Sequence, residues 1–201
     1  KLTLWQKVRF WYANFQYRRG MPLAYITGHK EFYGLDFFVN KHSLIPRPDT
    51  ELLVESAVER LKVKGEWPKI LIDVGTGTGC IPISILKTMK QLNNETIKVF
   101  ATDISRRALK VARKNAKLHG AEIEFLHGNL LQPFLMAPSP IRGGTVGGVF
   151  ITANLPYLTM EQFKNEPSIK YEPKSALITG ENGLELYRKL LEQMKALNHP
   201  F

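Results

Sequence analysis

Cysteine is almost absent from this chain of 201 residues. The single Cys80 excludes an internal disulfide and any metal site built from several thiolates. No apolar run approaches the roughly 20 residues that a membrane-spanning helix needs. The first residues, from Lys1 rather than a Met, are charged and aromatic and do not form the apolar centre of a secretion signal. A reducing, cytoplasmic setting is the expectation. In that setting Asn94-Glu95-Thr96, which matches a glycosylation acceptor, reads as a polar loop. Acidic residues are in deficit, with 18 Asp and Glu against 28 Lys and Arg and a net charge of +10. That imbalance favours an acidic partner such as RNA, DNA or a ribosome, but solvated lysines on a basic enzyme give the same count. A catalytic histidine arrangement is missing too, because His29, His42, His119, His127 and His199 are scattered.

What is present is enough for one domain with a core and an appendage: 44% of residues are hydrophobic and 23% charged. The most distinctive stretch is residues 149–157, V-F-I-T-A-N-L-P-Y, a strand-like apolar run ending in a rigid polar tip. Asn154 brings an amide with two donors and one acceptor. Pro156 fixes its own φ and biases Leu155 toward an extended conformation, which leaves the Leu155 carbonyl facing outward. Tyr157 adds a flat stacking face. Two acceptors and an aromatic wall can hold a planar –NH2 group.

In chain order, apolar residues at Leu4, Val8, Trp11, Tyr12 and Phe15 predict an amphipathic helix over 2–19, stopped by Gly20 and Pro22. Residues 30–45 predict a β-hairpin turning near Gly34. Pro46 and Pro48 stiffen the next loop, and Asp49 or Thr50 can cap a helix over 51–62. Arg47, between the prolines, reads equally as a solvent-exposed loop charge or as a cation held near a ligand carboxylate. Residues 69–79, K-I-L-I-D-V-G-T-G-T-G, predict a buried strand and a glycine turn, and 80–90 a helix. The spacing Gly75-Thr76-Gly77-Thr78-Gly79 is not the G-x-G-x-x-G of dinucleotide enzymes, and no Walker lysine follows it. A second strand over 98–103 ends in Asp103, some 26 positions after Gly77, where a carboxylate can hold both hydroxyls of a ribose. A basic helix over 104–119 turns Ala108, Ala112 and Ala116 inward, and its Arg and Lys residues read as a solvated face in preference to an RNA contact. A third strand is expected over 122–128, before Asn129. Residues 132–148, with Arg142 and the pairs Gly143-Gly144 and Gly147-Gly148, read as a mobile loop. Turn-rich sequence and a helix over 184–197 follow the fourth strand, so the order β-α-β-α-β-β-α predicts an α/β fold with a parallel sheet.

Several segments together resemble the HemK-type protein-(glutamine-N5) methyltransferases of peptide chain release factors. They are R-R-G-M-P-L-A-Y-I-T-G (18–28), E-F-Y-G-L-D-F (31–37), L-I-P-R-P-D-T-E-L-L-V-E (44–55), D-V-G-T-G-T-G-C-I (73–81), D-I-S-R-R-A-L (103–109), N-L-P-Y (154–157) and Y-E-P-K-S-A-L (171–177). The resemblance implies a Rossmann-like methyltransferase fold with S-adenosyl-L-methionine as cofactor. Gly75, Thr76, Gly77, Thr78 and Gly79 would pass under its methionine part, Asp103 would hold the ribose, and Asn129 and Leu130 would sit beside the adenine. Asn154, Leu155, Pro156 and Tyr157 would bind the substrate glutamine next to the cofactor, with Arg47 at the substrate side and no metal. The implied partner is a class 1 release factor bearing Gly-Gly-Gln.

Three positions depart from the family's pattern. Leu155 stands where a Pro is usual, Asn129 where an Asp is usual, and Val149 where an Asp usually begins the strand. The N-L-P-Y spelling also occurs in adenine-N6 methyltransferases of ribosomal RNA, so that activity stays open, as does an inactive cofactor-binding homologue. The expected layout is the end of a helical recognition domain over 1–28, a hairpin linker over 29–48 and a catalytic domain over 49–201. Four parallel strands are countable where the full fold has seven, so the fifth to seventh are expected to be missing or disordered.

Overall fold

A computed structural model describes residues 2–63, 68–92, 97–136, 141 and 148–197. The acceptor-like Asn94-Glu95-Thr96, Arg142, Gly143-Gly144, Gly147 and His199 lie outside the described residues.

Helix α1, Leu4–Arg18, starts at a capping box in which the Thr3 hydroxyl and the Gln6 side chain each satisfy the other's backbone N–H. None of its residues is buried. Its end is tied down by the Tyr171 hydroxyl, which donates to the Arg19 carbonyl at 2.7 Å. The short α2, Leu23–Thr27, leads into β1, His29–Phe32, and β2, Leu35–Phe38. These two pair antiparallel around Tyr33-Gly34, both with positive φ (52° and 70°), the backbone of a tight two-residue hairpin turn. The hairpin is shorter than residues 30–45. Pairing ends at Phe38 because Asn40 turns the chain, its side chain accepting from the His42 N–H at 2.9 Å and its carbonyl from the Ser43 N–H at 3.1 Å.

Helix α3, Asp49–Val63, starts two residues earlier than the capping pattern suggests. Asp49 and Thr50 are inside its first turn, and the Thr50 N–H donates to the Arg47 carbonyl at 3.0 Å. The sheet then forms from β3 (Ile70–Val74), β4 (Lys98–Asp103), β5 (Glu124–His127) and β6 (Val149–Ala153). All four are parallel in the order β5-β4-β3-β6, the four parallel strands expected, and every residue of the central β3 is buried. Helices α4 (Cys80–Gln91) and α5 (Arg106–His119) are the crossovers, with α5 capped by the Ser105 hydroxyl at its start and by left-handed Gly120 at its end. Ala108, Ala112 and Ala116 are buried, as their spacing predicts.

The sheet carries a core on each face, because side chains alternate along a strand. Leu71 and Val99 join Phe32, Phe37, Val54 and Ile83 on one face, whereas Ile70, Ile72, Val74 and Phe100 meet Leu131 and Phe134 on the other. The expected loop after β5 begins as a helical turn, α6 (Gln132–Leu135), because Pro133 suits a helix start and the fully buried Phe134 anchors it against Phe100. Helix α7, Met160–Asn165, has its own capping box from Thr159 and Gln162, and α8, Glu185–Ala196, closes the second face through Leu190. Register brings Val74, Thr102 and Ala153 level, with His127 opposite Asp103. The turns after all four strands therefore gather at one edge, the usual position of a ligand crevice in a parallel sheet.

Candidate active site

The glycine turn after β3 is held by the neighbouring strand: the Gly75 and Thr76 N–H groups both donate to the Thr102 carbonyl, at 2.9 and 3.0 Å. Gly75 has φ +73°, and a Cβ there would meet the Leu155 side chain at 3.0 Å, so this glycine lets the turn lie directly on the N-L-P-Y tip. At Gly77 (φ +57°) a Cβ would meet nothing within 4 Å, which leaves an open cradle above the turn. The side chains of Thr76 and Thr78 are buried, so those residues offer the cradle only backbone.

Asp103 ends β4 beside that cradle. Its Oδ2 accepts from the Gly77 N–H at 2.9 Å and its Oδ1 from the Ser105 N–H at 2.7 Å. A carboxylate has about four lone-pair sites, so two bonds leave capacity for a pair of hydroxyls. Burial raises its pKa, opposed by those two N–H groups and by His127. Beneath the turn lies Asp73, fully buried and bonded to the Thr152 hydroxyl at 2.7 Å. Burial pushes its carboxyl up to about 6, the Thr76 and Thr152 hydroxyls oppose the shift, and the charge of Asp103 adds to it.

A cleft of about 370 Å³ opens next to Asp103, lined by Ile104, His127, Asn129, Pro133 and Met136. Ile104 and Met136 are 59% and 65% exposed, apolar surfaces left bare on a loop edge. Asn129 is at this cleft. Leu130 is not: its backbone is left-handed (φ +56°) and its side chain turns into the core below. The reason is local. Gln193 on α8 accepts from the Leu131 N–H at 2.7 Å and draws the chain down toward the sheet.

A second cleft, about 390 Å³, lies beside the N-L-P-Y tip and is lined by Leu44, Arg47, Thr50, Asn154, Tyr157 and Leu177 among others. The Asn154 Nδ2 donates to the Thr50 hydroxyl at 3.0 Å, and no donor among the described residues reaches its Oδ1. The Leu155 N–H donates to the Tyr187 hydroxyl at 3.2 Å, whereas its carbonyl has no donor among the described residues. Tyr157 is 62% exposed and offers its ring to the cleft. The segment after α7 holds the tip in place. Leu158 pairs with residues 177–179 through two backbone bonds of 2.9 and 3.0 Å, and Gly183 (φ +78°) packs so closely that a Cβ would lie 2.4 Å from the Tyr157 carbonyl oxygen.

Arg47 lines this cleft with its side chain 41% exposed. Its guanidinium is bonded to Glu172, whose side chain is 1% exposed and whose other oxygen accepts from the Ile45 N–H at 3.0 Å. Arg47 thus forms part of the cleft wall while pinning the two-proline loop to a buried carboxylate. A larger depression of about 880 Å³, lined by Val99, Phe125 and the charged Lys98, Arg113, Lys117, Glu122 and Glu124, lies at the opposite end of the sheet. Among the described residues no cluster could hold a metal ion, and no helix is long and apolar enough to cross a membrane.

The methyltransferase small domain family model matches residues 48–137. The release factor glutamine methyltransferase of Bacillus anthracis is 36% identical over 197 residues, covering 96% of this chain and 65% of the relative. That of Enterococcus faecalis is 40% identical over 178 residues, covering 88% of this chain and 58% of the relative. The chain is a relative of the release factor glutamine methyltransferases. It spans about three fifths of the length of the curated relatives it matches. Among solved structures, the human METTL16 catalytic domain in complex with an RNA hairpin superposes with TM-score 0.59 at 17% identity, over 95% of this chain and 74% of that one. At that identity it bears on fold alone, and the fold is the Rossmann-like methyltransferase fold.

In this relative of the release factor glutamine methyltransferases, Gly77 is bonded to Asp103, Asn129 lines the cleft that begins at Ile104, and Asn154, Leu155, Tyr157 and Arg47 line the second cleft. Four contributors go unnoticed in the sequence as site residues: Thr50, Glu172, Tyr187 and Asn115. Asn115 is fully buried on α5, donates to the Thr78 carbonyl at 2.9 Å and exchanges two bonds with the Phe38 backbone at 2.8 and 3.0 Å. A polar residue amid the alanines of α5 was the only signal for it.

Proposed function

We propose that this chain carries the catalytic domain of a cytoplasmic S-adenosyl-L-methionine-dependent enzyme. Its reaction is methylation of the N5 side-chain nitrogen of the Gly-Gly-Gln glutamine in a class 1 peptide chain release factor. One observation carries the reading: Asn154 Oδ1 and the Leu155 carbonyl are two acceptors without donors among the described residues, at a cleft walled by Tyr157 and adjoining the glycine turn. The names of the curated relatives support the acceptor class.

The residues fit the cofactor. The open space above Gly77, the spare lone pairs of Asp103 and the slot between Ile104 and Met136 suit a methionine chain, a ribose and a flat heterocycle in turn. Bound there, the cofactor supplies an electrophilic methyl group on a sulfonium. The chain's own work is at the acceptor. An amide nitrogen is a poor nucleophile because its lone pair is shared with the carbonyl. Asn154 Oδ1 and the Leu155 carbonyl would each take one N–H, aiming the lone pair toward the crevice and stabilising positive charge as it develops on nitrogen. The methylated nitrogen is strongly acidic and loses its extra proton to solvent, so the step needs no dedicated base, although Asp49 and Glu166 line the same cleft. Leu155 serves through backbone, which makes a side chain other than Pro tolerable there.

Mass spectrometry of a release factor incubated with the chain and cofactor tests this. One added methyl on the Gly-Gly-Gln peptide, absent when that glutamine is replaced, is the expected result. Methyl transfer to ribosomal RNA instead would favour the adenine-N6 activity, whose acceptor is also a planar –NH2. Cofactor binding without transfer to either would favour an inactive homologue.

A further inference from the structure

We propose that Tyr187 is a positioning residue that holds the backbone amide of Leu155 and so aims the Leu155 carbonyl at the substrate, a role that rests on the acceptor reading of the N-L-P-Y tip. An amide N–H can only donate, so the Tyr187 hydroxyl oxygen is the acceptor of the 3.2 Å bond from Leu155. That bond orients the peptide plane by which the chain enters Leu155. The Leu155 side chain is buried in the core with Val74 and Leu190, which sets the direction of its Cα–Cβ bond. Together the two restraints fix φ of Leu155. Pro156 then confines ψ of Leu155 to the extended range. No torsion is left free between the bonded N–H and the Leu155 carbonyl.

A proline at position 155 would close φ with its ring and would have no N–H to satisfy. Leucine brings a soft torsion and a backbone donor at the edge of the core, and Tyr187 answers both. Its own position is well held. Tyr187 is in the first turn of α8, with its ring packed against the core of that sheet face. The turn before α8 is tied by the Glu185 carboxylate, which accepts from the Glu181 and Asn182 N–H groups at 2.8 and 3.0 Å. The same turn presses Gly183 against the Tyr157 carbonyl, where a Cβ would lie 2.4 Å away. The start of α8 therefore backs the tip at two points. Tyr187 does not itself line the acceptor cleft, so it reaches the substrate only through Leu155.

Tyr187→Phe removes the hydroxyl and keeps the ring. Two readouts test the role. In the first, exchange of the Leu155 N–H is followed by nitrogen-15 NMR without substrate. It is expected to be about five- to tenfold faster in Tyr187→Phe than in the wild type, as loss of one hydrogen bond allows. In the second, Tyr187→Phe is expected to lower kcat for release-factor methylation about tenfold, with KM and cofactor Kd within about threefold, the pattern of a misplaced group. Leu155→Pro supplies the control, because it has no N–H for Tyr187 to hold. On that background Tyr187→Phe is expected to change kcat by less than about twofold. An equal fall on both backgrounds would mark Tyr187 as packing and overturn the proposal. So would an unchanged exchange rate or kcat in Tyr187→Phe, or a matching loss of cofactor affinity. If Leu155→Pro does not fold, the exchange rate and the split between kcat and KM decide. If the wild type methylates no release factor, the functional reading fails on its own, and the exchange comparison still decides whether Tyr187 holds the Leu155 amide.

Discussion

Asn154 presents oxygen to the cleft while its nitrogen is occupied 3.0 Å away at Thr50, and that division of one side chain is what the acceptor chemistry requires. Asn154→Ala removes the oxygen that orients the –NH2 group but none of the groups around the glycine turn. It should lower kcat by about a hundred- to a thousandfold, the range for loss of one aligned polar group. Calorimetric cofactor binding should be nearly unchanged, and an equal loss of both would make Asn154 a structural residue. Asp73 gives a second prediction. Its carboxyl is raised from 3.8 to about 6, so the folded chain binds this proton more tightly than the unfolded chain does. The protonated group therefore favours folding below the unfolded value, and that contribution is lost as pH rises through the folded value. Asp73→Asn keeps the bond from Thr152 and never charges. Its stability relative to the wild type should rise between about pH 4 and 7, by up to about 3 kcal/mol for a shift of this size. Denaturant titrations across that range check it, and a pH-independent difference would contradict it. At this scale the sequence was half legible. Asn154 and Asp103 stood at strand ends where chemistry is expected, but their orienting partners are distant in sequence or are backbone groups.

Between elements, a few buried polar groups fix how the pieces meet. Asn115 spans from α5 to the end of β2 and to the glycine turn with bonds of 2.8, 3.0 and 2.9 Å. Asn115→Leu would leave two Phe38 backbone groups and the Thr78 carbonyl without their partner. Each buried polar group so orphaned costs about 1–3 kcal/mol. A lowered urea midpoint with faster hydrogen exchange at the Phe38 N–H is the expected result, and a hairpin as protected as in the wild type would contradict it. The hairpin turn, the sheet strands and α8 were readable because period and turn residues speak locally. Helix α6 and α7 were not. Each is six residues or fewer, too short for a period, and each is held by a cap or by one buried side chain such as Phe134. The early start of α3 was hidden because Asp49 and Thr50 suit a capping position as well as the first turn of a helix.

Across the whole molecule, charge and exposure say less than topology. The net charge of +10 does not gather at the acceptor cleft, where Arg47 is already bonded to Glu172. Lys114 lies over the Phe38 ring and Arg113 donates to the Phe125 carbonyl, so part of the basic face of α5 is structural. Helix α1 keeps Trp5 80% exposed and Trp11 67% exposed, which fits the expectation that residues 1–28 belong to a recognition domain, a boundary we propose on that ground. Parallel topology was legible in the sequence because each strand ends in a glycine, an acid or an asparagine that opens the same edge. The acceptor is the central claim, since the tip alone suits either a glutamine amide or an adenine amino group. The most direct measurement offers the chain and labelled S-adenosylmethionine a release factor and ribosomes side by side. The account predicts label on the release factor, lost when the Gly-Gly-Gln glutamine is replaced. Label on ribosomal RNA with an unlabelled release factor would contradict it.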